Sequence, residues 1–212
     1  MNKEGTFYTI VFIFIVSFAF VFLLSMTNQV TVERVELNQE LARQRAVLAA
    51  MGIEATGEDE VQQEFNRIAS DPEAGLYVGS VDGRTVYAKS FAGAGLWGTI
   101  SGFIAVTADL EQIVGLEIVE DNETPGLGGR INEPWFKSQF EGEQIPADGR
   151  IAIRALEGDG DPNESNGVVD GITGATRTSD SMESIVNTQL QAFQSPETQE
   201  RFEELAAAGG NA

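Results

Sequence analysis

The chain has 212 residues, 33 of them acidic against 13 basic, a formal net charge of −20 at pH 7, and neither Cys nor His. A surface this acidic excludes nucleic acid, which takes a basic face, and disfavours docking of a soluble part on anionic lipid. Disulfides, thiolate or imidazole metal sites and a Ser-His-Asp triad are excluded with Cys and His, so any redox chemistry needs an organic cofactor.

Phe7 to Met26 carries no charged residue and, at about 20 residues, is long enough to span a bilayer as a helix. A secretory signal would have a shorter apolar core and a small-x-small cleavage site. Ser25-Met26-Thr27-Asn28 offers none, so residues 7–26 are read as a retained anchor. Lys3 precedes the span, and Glu33, Arg34 and Glu36 follow it. The positive-inside bias then puts residues 1–6 in the cytoplasm and the remainder outside. Thr27 to Ala50 continues as a helix with Val35, Leu41, Val47 and Leu48 on its apolar side, and Gly52 stops it. Val61, Phe65 and Ile68 anchor a second short helix. Residues 27–75 are thus a helical stalk, packed either on neighbouring subunits or on the chain's own domain.

Strands are expected from Leu76. Leu76 to Val81, the turn Asp82-Gly83 and Arg84 to Ala88 form a hairpin pattern. Leu96 to Thr107 and Ile113 to Val119 read as two further strands joined by a polar turn. Asn132-Glu133-Pro134 begins a short helix through Phe140, with Pro134 suited to its first turn. Ile151 to Leu156 reads as a strand. Met182, Ile185, Val186, Leu190 and Phe193 share one face of a helix that ends near Phe193, and Thr178 or Ser179 is its expected N-cap. Ser195-Pro196-Glu197 opens an acidic helix, and Ala206 to Ala212 reads as a frayed tail. The fold class is α+β: a mostly antiparallel sheet with flanking helices behind one transmembrane helix. The domain proper is expected over residues 76–195, with 196–212 as helix and tail.

Three stretches carry candidate chemistry. Asp170-Gly171-Ile172-Thr173-Gly174-Ala175-Thr176-Arg177-Thr178-Ser179 is a small-residue turn that delivers hydroxyls to a helix N-terminus, where a phosphate is favoured. Read alone, it is equally a loop before an ordinary capped helix. Glu123-Thr124-Pro125-Gly126-Leu127-Gly128-Gly129 follows a strand, and its glycines allow close approach of backbone to a planar ligand; alone, it is a tight turn. Gly95-Leu96-Trp97-Gly98 stands at the expected start of a strand, where Leu96 and the indole of Trp97 can cover an aromatic cofactor, or where Trp97 is a core residue. A fourth stretch, Asp159 to Asp170, echoes a calcium loop, but Glu164 stands where glycine is expected and Asp170 where Glu is expected. No metal is assigned.

Asp170-x-x-Thr173-Gly174-Ala175-Thr176 resembles the motif read by the flavin transferase that attaches FMN to threonine through a phosphoester. Glu123 to Gly128 resembles the E-T-P-G-L-G signature of the same family. That family comprises the FMN-carrying subunits of two related respiratory complexes, the Na+-translocating NADH:quinone reductase (Nqr) and the Rnf complex. Gly95-Leu96-Trp97 and Gly128-Gly129-Arg130-Ile131 favour the Nqr type. The resemblance implies covalent FMN on Thr176, in a motif completed by Asp170, Thr173, Gly174, Ala175 and Thr178. It also implies a flavin lined by Glu123, Thr124, Leu127 and Gly128 and covered by Leu96 and Trp97. Implied partners are the other membrane subunits of the complex and, during maturation, the flavin transferase. The chain would relay electrons in a bacterial plasma membrane, as part of an ion-pumping enzyme and not a complete one. An anchored binding module without cofactor is the reading from a different class.

Overall fold

Residues 5–155 and 160–209 are described by the computed structural model. The chain divides into two units, residues 1–41 and 42–212. Helix α1, Thr6–Ala50, begins in the first and ends in the second. It is long and apolar enough to cross a membrane: its most apolar window has a mean hydropathy of 2.8, and none of that window is buried. The polar residues after it do not break the helix. Thr27 and Thr31 donate their hydroxyls to Leu23 O and Thr27 O at 2.9 Å, within the helix itself. Gly52, at φ +74°, ends the helical run in the left-handed conformation that glycine adopts without strain.

In the second unit a five-stranded antiparallel sheet runs in the order β1 (Ala69–Asp71), β2 (Leu76–Val81), β3 (Arg84–Ala94), β4 (Thr99–Thr107) and β5 (Ile113–Glu120). Every neighbour in space is a neighbour in sequence. The expected hairpin forms in register, Val81 opposite Arg84. Asp82 and Gly83 both take positive φ, 51° and 77°, as a two-residue hairpin turn requires.

Side chains alternate across the sheet. Leu76, Val78, Tyr87, Phe91, Ile104 and Val106 enter one core, and Tyr77, Val86, Ala88, Phe103 and Ala105 enter the other. Ala46, Val47, Leu48 and Ala50 from the end of α1 cover the second face with Val61 and Phe65 of α2 (Glu58–Phe65); the expected anchor Ile68 joins the same core from beyond the helix, which ends at Phe65. The stalk's last turns therefore pack on the chain's own domain. The first face is covered by α3 (Pro134–Ser138), α4 (Thr176–Phe193) and α5 (Pro196–Gly209). Phe202 of α5 stacks on Tyr87 at 4.5 Å and on Phe193 of α4 at 5.6 Å.

Several expectations are corrected. The sheet starts at Ala69, not Leu76, because β1 pairs with β2 through Ala69 opposite Val78. β3 continues to Ala94 and β4 begins at Thr99, so Leu96 and Trp97 lie in the hairpin turn and not at the start of a strand. The expected strand from Ile151 is β6, Ala152–Arg154, while Leu156 lies outside the described residues. β6 pairs in parallel with β7, Val168–Asp170, a strand hidden inside the acidic stretch. Helix α4 starts at Thr176, and its N-cap is Ala175, without a side-chain bond. Thr178 and Ser179 are inside the helix because their hydroxyls have tertiary partners, described below. Ala206 to Ala208 continue α5, as alanine's high helix propensity favours.

Candidate functional site

Three loops meet at the N-terminus of α4: the β3–β4 turn with Leu96 and Trp97, the loop after β5 with Glu123 to Gly128, and the turn Gly171 to Ala175. Glu123 joins them. Its side chain is buried, at 6% exposure. Its Oε1 accepts the backbone N–H groups of Leu96 at 2.7 Å and Trp97 at 3.2 Å, and its Oε2 accepts the Thr178 hydroxyl at 2.6 Å. Hydrogen bonds to a carboxylate are among the stronger ones.

The second loop is a turn in which Thr124 O accepts the N–H groups of Leu127 and Gly129 at 3.1 and 3.0 Å. Gly126 holds the turn at φ +74°. Gly128 opens a 3-10 turn, Gly128–Asn132, and is itself buried. In the third loop Ile172 is buried in the core and Gly174 takes φ +82°. A Cβ on Gly174 would lie 3.8 Å from Leu127 Cδ2, so the second and third loops touch. A Cβ on Gly98 would lie 2.8 Å from Asn122, so the first and second touch as well.

Thr176 is the first residue of α4 and is exposed, as is Thr173. The first intrahelical bond from the end is Ser179 N–H to Ala175 O at 3.1 Å. The N–H groups of Thr176, Arg177 and Thr178 precede it and stand at the positive end of an 18-residue helix. Thr178 is buried at 1% exposure, its hydroxyl held by Glu123. Ser179 Oγ accepts the Ile172 N–H at 3.0 Å, which ties the helix back onto its own entry turn. Ala175 is buried and Thr124 exposed.

Asp170 is fully buried. Its N–H donates to Gln139 Oε1 at 2.8 Å, its carbonyl accepts from Gln139 Nε2 at 3.3 Å, and its Oδ2 accepts the Gly160 N–H at 3.2 Å. The motif's aspartate is therefore a latch inside the fold, while Thr173 and Thr176 reach the surface. The residues that sequence reasoning passed over are Gln139, which no motif marks, and Gly95. A Cβ on Gly95 would lie 2.5 Å from Glu123 Oε1; the Gly95-Leu96-Trp97 stretch contains it without revealing the reason.

In the second unit, the exposed large hydrophobic residues among those described are Leu96 at 39%, Trp97 at 70%, Val119 at 43% and Leu127 at 47%. Three of these four stand on the two loops beside Thr176. This is an open apolar shelf next to a hydroxyl at a helix N-terminus. It fits a group with a flat aromatic part and a phosphate, since the shelf takes the first and the helix end favours the second. A cleft of about 590 Å³ lined by Arg45, Leu48, Ile53, Val114 and Glu141 lies elsewhere and shares no residue with the three loops. In the calcium-like stretch, Asp161 Oδ1 and Oδ2 accept from Asn163 N–H and Asn166 Nδ2 at 2.9 and 2.7 Å, and Asn163 Oδ1 accepts the Ser165 N–H at 3.2 Å. These oxygens shape the loop itself; Asp159 lies outside the described residues. Nearby, Glu143 accepts the Gly167 N–H at 2.6 Å and is buried, which raises its pKa above the ordinary carboxylate value.

Residues 95–191 match the family described as FMN-binding domain, a stretch that contains all three loops. NqrC of the Na(+)-translocating NADH-quinone reductase of Pseudomonas aeruginosa is 36% identical over 98 residues, which are 45% of this chain and 38% of that protein. The same protein from Vibrio anguillarum is 39% identical over 92 residues, 43% of this chain and 36% of that one. The matches thus span well under two thirds of those relatives' length. The crystal structure of NqrC from Parabacteroides distasonis superposes with a TM-score of 0.58 at 26% identity, covering 74% of this chain and 92% of that one. NqrC of Shewanella oneidensis gives 0.60 at 23% identity over 77% and 96%, and shares the fold. The loops that meet at the N-terminus of α4 thus lie in a stretch, residues 95–191, that matches the FMN-binding domain family and is similar to part of NqrC in Na(+)-translocating NADH-quinone reductases.

Proposed function

We propose that the chain is a membrane-anchored subunit that carries FMN as a phosphoester on Thr176. It relays electrons within an ion-pumping NADH:quinone reductase of the Na+-translocating type. The observation that carries this reading is the Glu123 tie between the loops that expose Leu96, Trp97 and Leu127 and the N-terminal turn of α4, where Thr176 is exposed. When bound, FMN supplies reversible electron transfer that no side chain of this composition provides. Leu96, Trp97 and Leu127 offer apolar surface to its ring. The free N–H groups at Thr176 to Thr178 favour the negative phosphate. Glu123, Thr124 and Gly128 shape the loop beneath, and Thr173, Gly174 and Ala175 set the turn that presents Thr176.

Two other threonines stand close. The Thr178 hydroxyl is buried and bonded to Glu123, which speaks against it as an acceptor. Thr173 is exposed, and the motif's register selects Thr176 over it. Attachment is the work of a flavin transferase, which reads the exposed part of the motif. Asp170 acts from inside, by holding the motif's start in place. Residues 1–6 are cytoplasmic and the domain extracytoplasmic. The partners are the other membrane subunits of the complex, and the Na+ and NADH–quinone chemistry is that of the relatives' complex.

The test is the purified full chain co-expressed with a flavin transferase. A flavin absorbance band that stays with the polypeptide through a denaturing gel is the expected result. A colourless chain, with the transferase active on a control substrate, would favour an anchored binding module without cofactor.

A further inference from the structure

The three loops of the site come from distant parts of the chain, and a single side chain ties them. Glu123 reaches Leu96 and Trp97 across 27 and 26 residues of sequence and Thr178 across 55. The space it occupies is kept clear by two glycines. A Cβ on Gly95 would stand 2.5 Å from Oε1, and one on Gly128 would stand 2.6 Å from Oε2 and 2.5 Å from Thr178 Oγ1. Such approaches are closer than any stable contact, so the carboxylate fits only because both positions lack a side chain. Buried polar groups need partners. Here the acceptor's two oxygens and the three donors satisfy one another.

We infer that Glu123 is a positioning residue that pre-assembles the flavin shelf: it fixes the Leu96-Trp97 turn and the N-terminal turn of α4 in one arrangement before FMN arrives. It acts through the groups it bonds, not by contact with the flavin. The Leu96 and Trp97 N–H groups lock the turn that presents the indole. The Thr178 hydroxyl, two residues past Thr176, locks the turn of helix that presents the acceptor hydroxyl. One carboxylate thus sets the distance between the apolar cover and the point of attachment. The work is done by its two oxygens as acceptors, and its negative charge is secondary. Glutamine reproduces this set: its amide oxygen accepts both N–H groups, and its NH2 donates to Thr178 Oγ1, whose hydroxyl turns from donor to acceptor.

This inference rests on the proposed function for its flavin arm and is independent of it for the other. The full chain is prepared in detergent as wild type, Glu123→Ala, Glu123→Gln and Thr178→Val, with and without a co-expressed flavin transferase. In the flavin-free chains, amide hydrogen exchange is read at Leu96 and Trp97. Loss of the acceptor in Glu123→Ala should speed both amides about fivefold or more, the scale of an ordinary hydrogen bond, while Glu123→Gln stays near wild type. In the co-expressed chains, the fraction carrying flavin should fall severalfold in Glu123→Ala and in Thr178→Val and be restored in Glu123→Gln. Wild-type exchange at Leu96 and Trp97 in Glu123→Ala would overturn the inference. So would a Glu123→Gln chain that behaves like Glu123→Ala, since the charge would then matter more than the bonds. Should Glu123→Ala lose protection throughout the sheet, Thr178→Val decides, and undiminished attachment there contradicts the inference. A wild-type chain without flavin defeats the proposed function instead, and the exchange arm still reports on Glu123.

Discussion

Gly128 shows how a single hydrogen atom can decide a site. Nothing in its backbone angles demands glycine, since it is not among the residues with positive φ. The demand is steric: a methyl there would press on both Thr178 Oγ1 and Glu123 Oε2, at 2.5 and 2.6 Å. Gly128→Ala should therefore destabilise the chain by about 1–3 kcal/mol, the cost of overpacking a tight interior. It should also lower flavin attachment. A thermal melt indistinguishable from wild type would mean that the Glu123–Thr178 bond is not held as described. The three loops were marked in the sequence by three short stretches. Their roles were not. Glu123 stands beside Thr124 and Leu127 in sequence, but its partners lie 27 and 55 residues away, and no local pattern records that. Asp170 likewise belongs to a surface motif by sequence and to the interior by burial, because Gln139 bonds both its backbone N–H and its carbonyl.

At the scale of elements, what local chemistry determines was legible and what tertiary partners determine was not. The Asp82-Gly83 hairpin follows from two adjacent residues that tolerate positive φ. The end of α1 at Gly52 follows from one. The start of α4 did not follow from its hydroxyls, because Thr178 and Ser179 bond Glu123 and Ile172 and leave the N-cap to Ala175. β7 was hidden because its three residues pair only with the equally short β6 and are pinned by Gln139. The acidic sequence of helix α5 suggests a peripheral appendage, and its packing says otherwise. Phe202 is fully buried and stacks between Tyr87 of β3 and Phe193 of α4. Phe202→Ala should therefore cost about 3–5 kcal/mol, as for a large aromatic in a core. Chemical denaturation that shows less than about 0.5 kcal/mol, the size of a typical surface change, would mean that α5 is dispensable to the fold.

For the whole molecule, a charge-poor anchor and a charge-rich domain divide the work. The anchor's large apolar residues stay exposed along α1, Phe14 at 69% and Leu24 at 69%, on a helix long and apolar enough to cross a membrane. The domain carries most of the excess of carboxylates. In the proposed orientation, with residues 1–6 in the cytoplasm, protease added outside spheroplasts should digest residues 52–212, and full protection beside a cleaved external control would reverse the orientation. In the proposed function one threonine, at the helix N-terminus that meets the exposed apolar loops, holds the cofactor. That assignment is tested most directly by peptide mass spectrometry of the full chain co-expressed with a flavin transferase, as wild type and as Thr176→Ala. The account predicts a single FMN phosphoester on the peptide from Asp170 to Ser179, placed on Thr176 by fragmentation and absent from Thr176→Ala. Flavin on Thr173 or Thr178, or attachment undiminished in Thr176→Ala, would contradict it.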